Sequence, residues 1–137
     1  MTETADPYRA AQASAARLAE LTGVSRHDVA VVLGSGWAPA ADALGSADAE
    51  VPLAALGGFP PPTVSGHSPA VRSLRAGDGR VLVFLGRVHL YEGHDVATVV
   101  HGVRTAVAGS WPSYRWTRPR NTSARTSPAR TDRTAGE

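Results

Sequence analysis

The chain has no cysteine, no lysine and no long apolar run. Without cysteine there is no disulfide framework, no thiolate nucleophile and no sulfur-ligated metal site. Without lysine there is no Walker-type phosphate loop. No stretch approaches the roughly 20 apolar residues needed to cross a bilayer. The first residues, Met-Thr-Glu-Thr-Ala-Asp, are polar and acidic, unlike a secretory or transit peptide. These absences point to a soluble, cytoplasmic protein with no membrane partner. At 137 residues it is one domain at most, with room for a modest core.

Charge is divided unevenly along the chain. Residues 1–109 hold 8 Arg against 10 Asp plus Glu, a net of −2, whereas residues 110–137 hold 6 Arg against Asp132 and Glu137, a net of +4. The tail has no Val, Ile, Leu, Met or Phe, and its only large apolar groups are Trp111, Tyr114 and Trp116. So little apolar area cannot offset the roughly 1–2 kcal/mol per residue that backbone ordering costs. Two regions are expected: a folded body over 6–109 and a disordered Arg/Pro/Ser/Thr-rich tail over 110–137.

Within the body, strand and helix signals alternate. Asp6 and Pro7 form a helix start, Ala11, Ser14, Leu18 and Leu21 recur at helical spacing, and Gly23 ends the run. Asp28–Leu33 reads as a buried strand, followed by Gly34-Ser35-Gly36 and a short helix over Trp37–Leu44. A strand, glycine turn and helix can aim backbone N–H groups at an anion, although a plain tight turn explains the glycines equally well. A second extended segment is expected over Glu50–Leu56. The stiff Pro60–Pro62 run then delivers a loop containing His67. Val71–Arg75 and Arg80–Leu85 flank Ala-Gly-Asp-Gly, a hairpin signal. Asp95 caps a helix over 95–108 whose stripe of Val96, Val99, Val100, Val103 and Val107 predicts its buried face. His27, His94 and His101 read as surface histidines.

The chemistry concentrates in Val81–Gly93. Val81–Leu85 has the pattern of a strand buried on both faces, and Gly86 breaks it. If the chain stays extended, Arg87, His89 and Tyr91 point one way and Val88 and Leu90 the other. A guanidinium, an imidazole and a phenol then converge at the carboxyl end of a buried strand, where open α/β sheets bind ligands. Arginine offers a planar fork of donors for a phosphate or carboxylate. The same residues also suit an edge strand with one solvated polar face.

Three segments carry a resemblance: Val-Leu-Gly-Ser-Gly-Trp (32–37), Phe-Pro…Val-Ser-Gly-His (59–67) and Gly-Arg-Val-His-Leu-Tyr-Glu-Gly (86–93). From Asp6 to Gly109 the chain resembles the amino-terminal portion of the trimeric purine nucleoside phosphorylases. That resemblance implies an α/β fold, a partial mixed sheet flanked by helices. It implies phosphorolysis of a purine nucleoside to free base and ribose 1-phosphate, as in purine salvage, with inorganic phosphate as co-substrate and no cofactor or metal. By resemblance Ser35, His67, Arg87 and His89 hold phosphate, and His89 lies between phosphate and sugar. Tyr91 contacts the ribose, and Glu92 helps order the site. The complete proteins are homotrimers; assembly of this shorter chain is left open.

Two departures qualify the match. Pro69 stands where the family usually has glycine two residues after the loop histidine, which fixes φ and removes an N–H. The match also stops at Gly109, before the family's purine-gripping Glu and Asn. The tail composition fits a GC-rich gene read in a shifted frame, so a truncated and inactive phosphorylase is expected. The non-enzyme alternative is nucleic-acid binding through the Arg-rich, aromatic tail. A metal hydrolase built on His89, Glu92 and His94 is disfavoured, because H-x-x-E-x-H matches no zinc-helix motif.

Overall fold

A computed structural model describes residues 6–34, 36–61 and 69–110, excluding the side chain of Ser110. The elements run α1 (Pro7–Thr22), β1 (Val29–Val32), α2 (Ala40–Leu44), β2 (Ser46–Pro52), β3 (Ala70–Ala76), β4 (Gly79–Phe84), α3 (Val96–Val99) and α4 (His101–Ser110). The strands form one mixed sheet in the order β1-β4-β3-β2. β4 pairs parallel with β1 and antiparallel with β3, and β3 pairs antiparallel with β2. Ser35, residues 62–68 with His67, and residues 111–137 lie outside the described residues.

β4 is central and buried on both faces, as its unbroken apolar run predicts. Leu82 and Phe84 join Leu18, Val51, Val71 and Ala106 in the larger core, between the sheet and helices α1 and α4. Val83 joins Leu33, Ala41 and Leu74 in a smaller core on the other face, beneath α2. Burying each such large side chain contributes about 1.5–3 kcal/mol. α1 begins as its sequence dictates: the Asp6 carboxylate accepts from the Tyr8 N–H, and Gly23 closes the helix at φ 69°. Where α1 and α4 approach, a Cβ built on Gly109 would lie 3.7 Å from Ala15 Cβ, an ordinary packing distance.

Several expectations are corrected. β1 is not a buried strand: it lies at the sheet edge, with Val29 51% and Val32 41% exposed. The Glu50–Leu56 segment is the end of β2 followed by a 3₁₀ turn over Leu53–Leu56. The expected hairpin over Ala76–Gly79 does form, with Gly77 and Asp78 at its tip and Ala76 paired with Gly79. The 95–108 helix breaks at Val100, so its two pieces do not share one stripe. His101, Thr105 and Ala106 face the core, while Val96 and Val103 are more than half exposed. His27 and His101 are buried rather than at the surface.

Candidate functional site

The sheet topology brings Gly34, Gly86 and the start of β3 to one end. β1 and β4 run parallel, so Gly34 leaves β1 at the same end where Gly86 leaves β4. The Leu33 N–H donates to the Phe84 carbonyl at 2.9 Å, holding these two exits together. β3 runs the other way and therefore starts at that end. Its approach is pinned by Leu53 N–H to the Pro69 carbonyl and Leu85 N–H to the Ala70 carbonyl, each 2.9 Å. Pro69 also packs beside Gly86, its Cβ 3.9 Å from where a Gly86 Cβ would stand.

Arg87, His89 and Tyr91 line one open cavity of about 500 Å³. The chain is not extended throughout, because Leu90–Glu92 forms a 3₁₀ turn that ends at Gly93 in a left-handed conformation. Val88 and Leu90 consequently line the same cavity instead of pointing away. The turn has two consequences for the side chains. It stacks the His89 and Tyr91 rings at 4.7 Å and 19°, and it brings Glu92 Oε1 to 2.7 Å from His89 Nδ1. With Nδ1 bound to a carboxylate, the ring is fixed and its Nε2 edge is available to a ligand. Glu92 Oε2 lies 3.6 Å from His94 Nε2. Among the described residues no group of three or more His, Asp or Glu is arranged to hold a metal ion.

The cavity wall is otherwise apolar, with Val32, Leu53, Phe59, Phe84 and Val103. Tyr91 is 82% and Leu90 59% exposed, so one side of the site is open to solvent. The support for Phe59 carries no mark in the sequence. His101 meets the Phe59 ring edge-on at 4.7 Å, and its Nε2 lies 3.0 Å from Ser14 Oγ. The Ser14 hydroxyl also reaches the carbonyls of Ala10 at 3.1 Å and Gly57 at 3.0 Å. A hydroxyl has one proton, so Oγ donates to a carbonyl and accepts from Nε2–H. A His within a helix carries no sequence mark of this kind; only the neighbouring glycines at 57 and 58 hint at a close approach.

The expected site residues thus divide in two. Arg87, His89, Tyr91 and Glu92 come together at one cavity, whereas Ser35 and His67 lie outside the described residues. So do Trp111, Tyr114 and Trp116, on which the nucleic-acid reading rests. No helix of the described residues is long and apolar enough to cross a membrane.

No family model matches the chain. It is 53% identical over 103 residues to a purine nucleoside phosphorylase of Mycobacterium tuberculosis, a match covering 75% of this chain and 38% of the relative. Its fold is similar to that of a Schistosoma mansoni purine nucleoside phosphorylase solved with acetate, at TM-score 0.64 and 26% identity, covering 74% of this chain and 37% of the other. A purine nucleoside phosphorylase solved with ribose 1-phosphate matches at TM-score 0.64 and 27% identity over the same shares of the two chains. The chain spans less than two fifths of the length of the curated relatives it matches. Over that length, sequence and fold agree that this chain is similar to the amino-terminal portion of the purine nucleoside phosphorylases.

Proposed function

We propose that this chain carries the phosphate- and ribose-holding part of a purine nucleoside phosphorylase site. In the complete reaction a phosphate oxygen bonds to the anomeric carbon of a purine nucleoside as the bond to the base nitrogen breaks. The base leaves with that electron pair and takes up a proton. Ribose 1-phosphate and free purine result. Phosphate is a substrate here, and the residues present need no organic cofactor to bind it.

In this reading the Arg87 guanidinium offers paired donors to two phosphate oxygens. His89, held through Nδ1 by Glu92, presents Nε2 to the anion where it meets the sugar. Tyr91, stacked on His89, forms the wall against which the ribose lies. Holding the anion against the anomeric carbon converts an encounter in solution into a positioned attack. Ser35 and His67 are proposed to complete the phosphate shell.

The observation that supports this reading is the convergence of Arg87, His89 and Tyr91 on one cavity at the carboxyl end of β4. The decisive experiment is a calorimetric titration of the 137-residue chain with inorganic phosphate. Saturable binding is expected, weakened about tenfold or more by Arg87→Ala, since a hydrogen bond to a charged group contributes about 1.5–3 kcal/mol. No phosphate binding by the folded chain would refute the reading.

A further inference from the structure

Glu92 stands between two imidazoles. Its Oε1 accepts from His89 Nδ1 at 2.7 Å, and its Oε2 faces His94 Nε2 at 3.6 Å. Gly93, left-handed at φ 87°, turns the chain between them, so that a residue only two positions past Glu92 folds back onto its carboxylate. The side chains of His89, Glu92 and His94 are 18%, 27% and 21% exposed, so solvent screens the group only in part.

His94 Nε2 is buried and, among the described residues, has no hydrogen-bond partner. Its 3.6 Å separation from Glu92 Oε2 is too long for a hydrogen bond and within the range of an ion pair. A buried nitrogen left in this way is costly, and in a native structure it calls for a reason in the site it adjoins. A second carboxylate, that of Asp95, is held below its ordinary range first by hydrogen bonds from Thr98 and further by the charge of His94. The residues lining the cavity include His89 but neither Glu92 nor His94. Any effect of His94 on a ligand there passes through Glu92.

We propose that His94 is a positioning residue for the anion site: it holds the second oxygen of Glu92, so that the first keeps the His89 ring in its Nδ1–H form with Nε2 free for the ligand. The terminal torsion of a glutamate is broad, and a carboxylate held by one oxygen alone swings about it. Holding both oxygens removes that freedom, and an imidazole oriented by a fixed carboxylate presents one defined edge. The inference rests on the proposed function, since the anion it serves is the phosphate of that reading.

The test uses the 137-residue chain labelled with 15N in histidine, without phosphate, at about pH 8, where imidazoles are ordinarily neutral. NMR of the ring nitrogens should show His89 as the Nδ1–H tautomer in the unsubstituted chain, a readout that needs no variant to fold. His94→Ala and Glu92→Ala should each give a mixture of tautomers, and His94→Gln should restore Nδ1–H, because its amide donates to Oε2 in place of Nε2. Inorganic phosphate is then titrated calorimetrically into each protein. His94→Ala should weaken binding about three- to tenfold, with most of the loss recovered in His94→Gln. In a Glu92→Ala background the His94→Ala substitution should weaken binding no further, whereas a residue that merely supports the turn would weaken it equally in both backgrounds. A His89 ring that is not Nδ1–H in the unsubstituted chain, a tautomer indifferent to His94→Ala, no rescue by His94→Gln, or a His94 effect undiminished without Glu92 would each overturn the proposal. A tautomer that responds to His94 in a chain that binds no phosphate counts against the proposed function and leaves the ordering of His89 by His94 standing.

Discussion

At position 101 an imidazole only 4% exposed is wedged between α1, α4 and the turn at Gly57–Phe59. Gly58 has φ +71°, and a Cβ there would fall 2.4 Å from His101 Nε2. Two features therefore fix this turn: a left-handed backbone that favours glycine, and a ring occupying the space a side chain would need. His101→Ala removes a buried hydrogen bond and the edge-on packing against Phe59. A loss of about 2–4 kcal/mol is expected by urea denaturation, with His101→Gln less costly if its amide donates to Ser14 in place of Nε2. His27 makes a comparable buried contact, its Nε2 2.8 Å from Ser73 Oγ. Burial chiefly holds both histidines below the ordinary value of 6.5; Arg80 adds to the effect at His27, and Arg104 at His101. The unfolded chain then binds protons at these positions before the folded one does. Stability is therefore full above about pH 6.5 and falls as pH drops below it toward the folded-state values. Denaturant midpoints from pH 8 to about pH 5 should show this decline, and it should be shallower in His101→Gln. From sequence these rings read as surface groups. A lone histidine on a helix or before a strand gives no signal of burial, because its partners, Ser14 and Ser73, are 87 and 46 positions away.

Among the elements, those whose sequence pattern is closed locally were legible. α1 has its cap and stop written at Asp6, Pro7 and Gly23, and β4 declares its central place through a continuous apolar run. β1 carries the same apolar signature but stands at an edge, since the pattern specifies burial without specifying what supplies it. The valine stripe of 96–107 misled for a different reason. The Asp95 carboxylate accepts from the Thr98 N–H to cap only the four residues of α3, and the break at Val100 resets the facing of α4. His101, Thr105 and Ala106 then turn inward, a face that is polar at two of three positions and invisible to a hydrophobic count. The consequence is measurable. Val96→Lys and Val103→Lys, at exposed positions, should each change the stability of the isolated chain by less than about 0.5 kcal/mol. Ala106→Lys, at a 6% exposed core position, should cost several-fold more or prevent folding. Equal costs at 103 and 106 would mean that the inward face of α4 is wrongly assigned.

For the molecule as a whole, one end of the sheet gathers Arg87, His89 and Tyr91 around a cavity, and nothing described closes over it. Enzymes that form an oxocarbenium-like centre must exclude water from it and stabilise the departing group, because water competes with phosphate for the same carbon. In the proposed function Arg87, His89 and Tyr91 serve the anion and sugar, but the cavity they line opens to solvent on the side of Leu90 and Tyr91. The chain also spans only 38% of the Mycobacterium tuberculosis relative. Phosphate binding and turnover should therefore separate. The 137-residue protein is expected to bind phosphate while releasing no hypoxanthine from inosine, or guanine from guanosine, when each is incubated with phosphate and followed by chromatography of the free base. The three motifs were legible because each is local in sequence and the parallel pairing of β1 with β4 brings two of their exits together. The expected lack of turnover was legible only as a length, the 38% of the relative that the match covers. Phosphate-dependent release of free base by the chain alone would mean that the residues after Gly109 supply the missing wall themselves. Release that persists in Arg87→Ala would instead move the chemistry away from the end of β4.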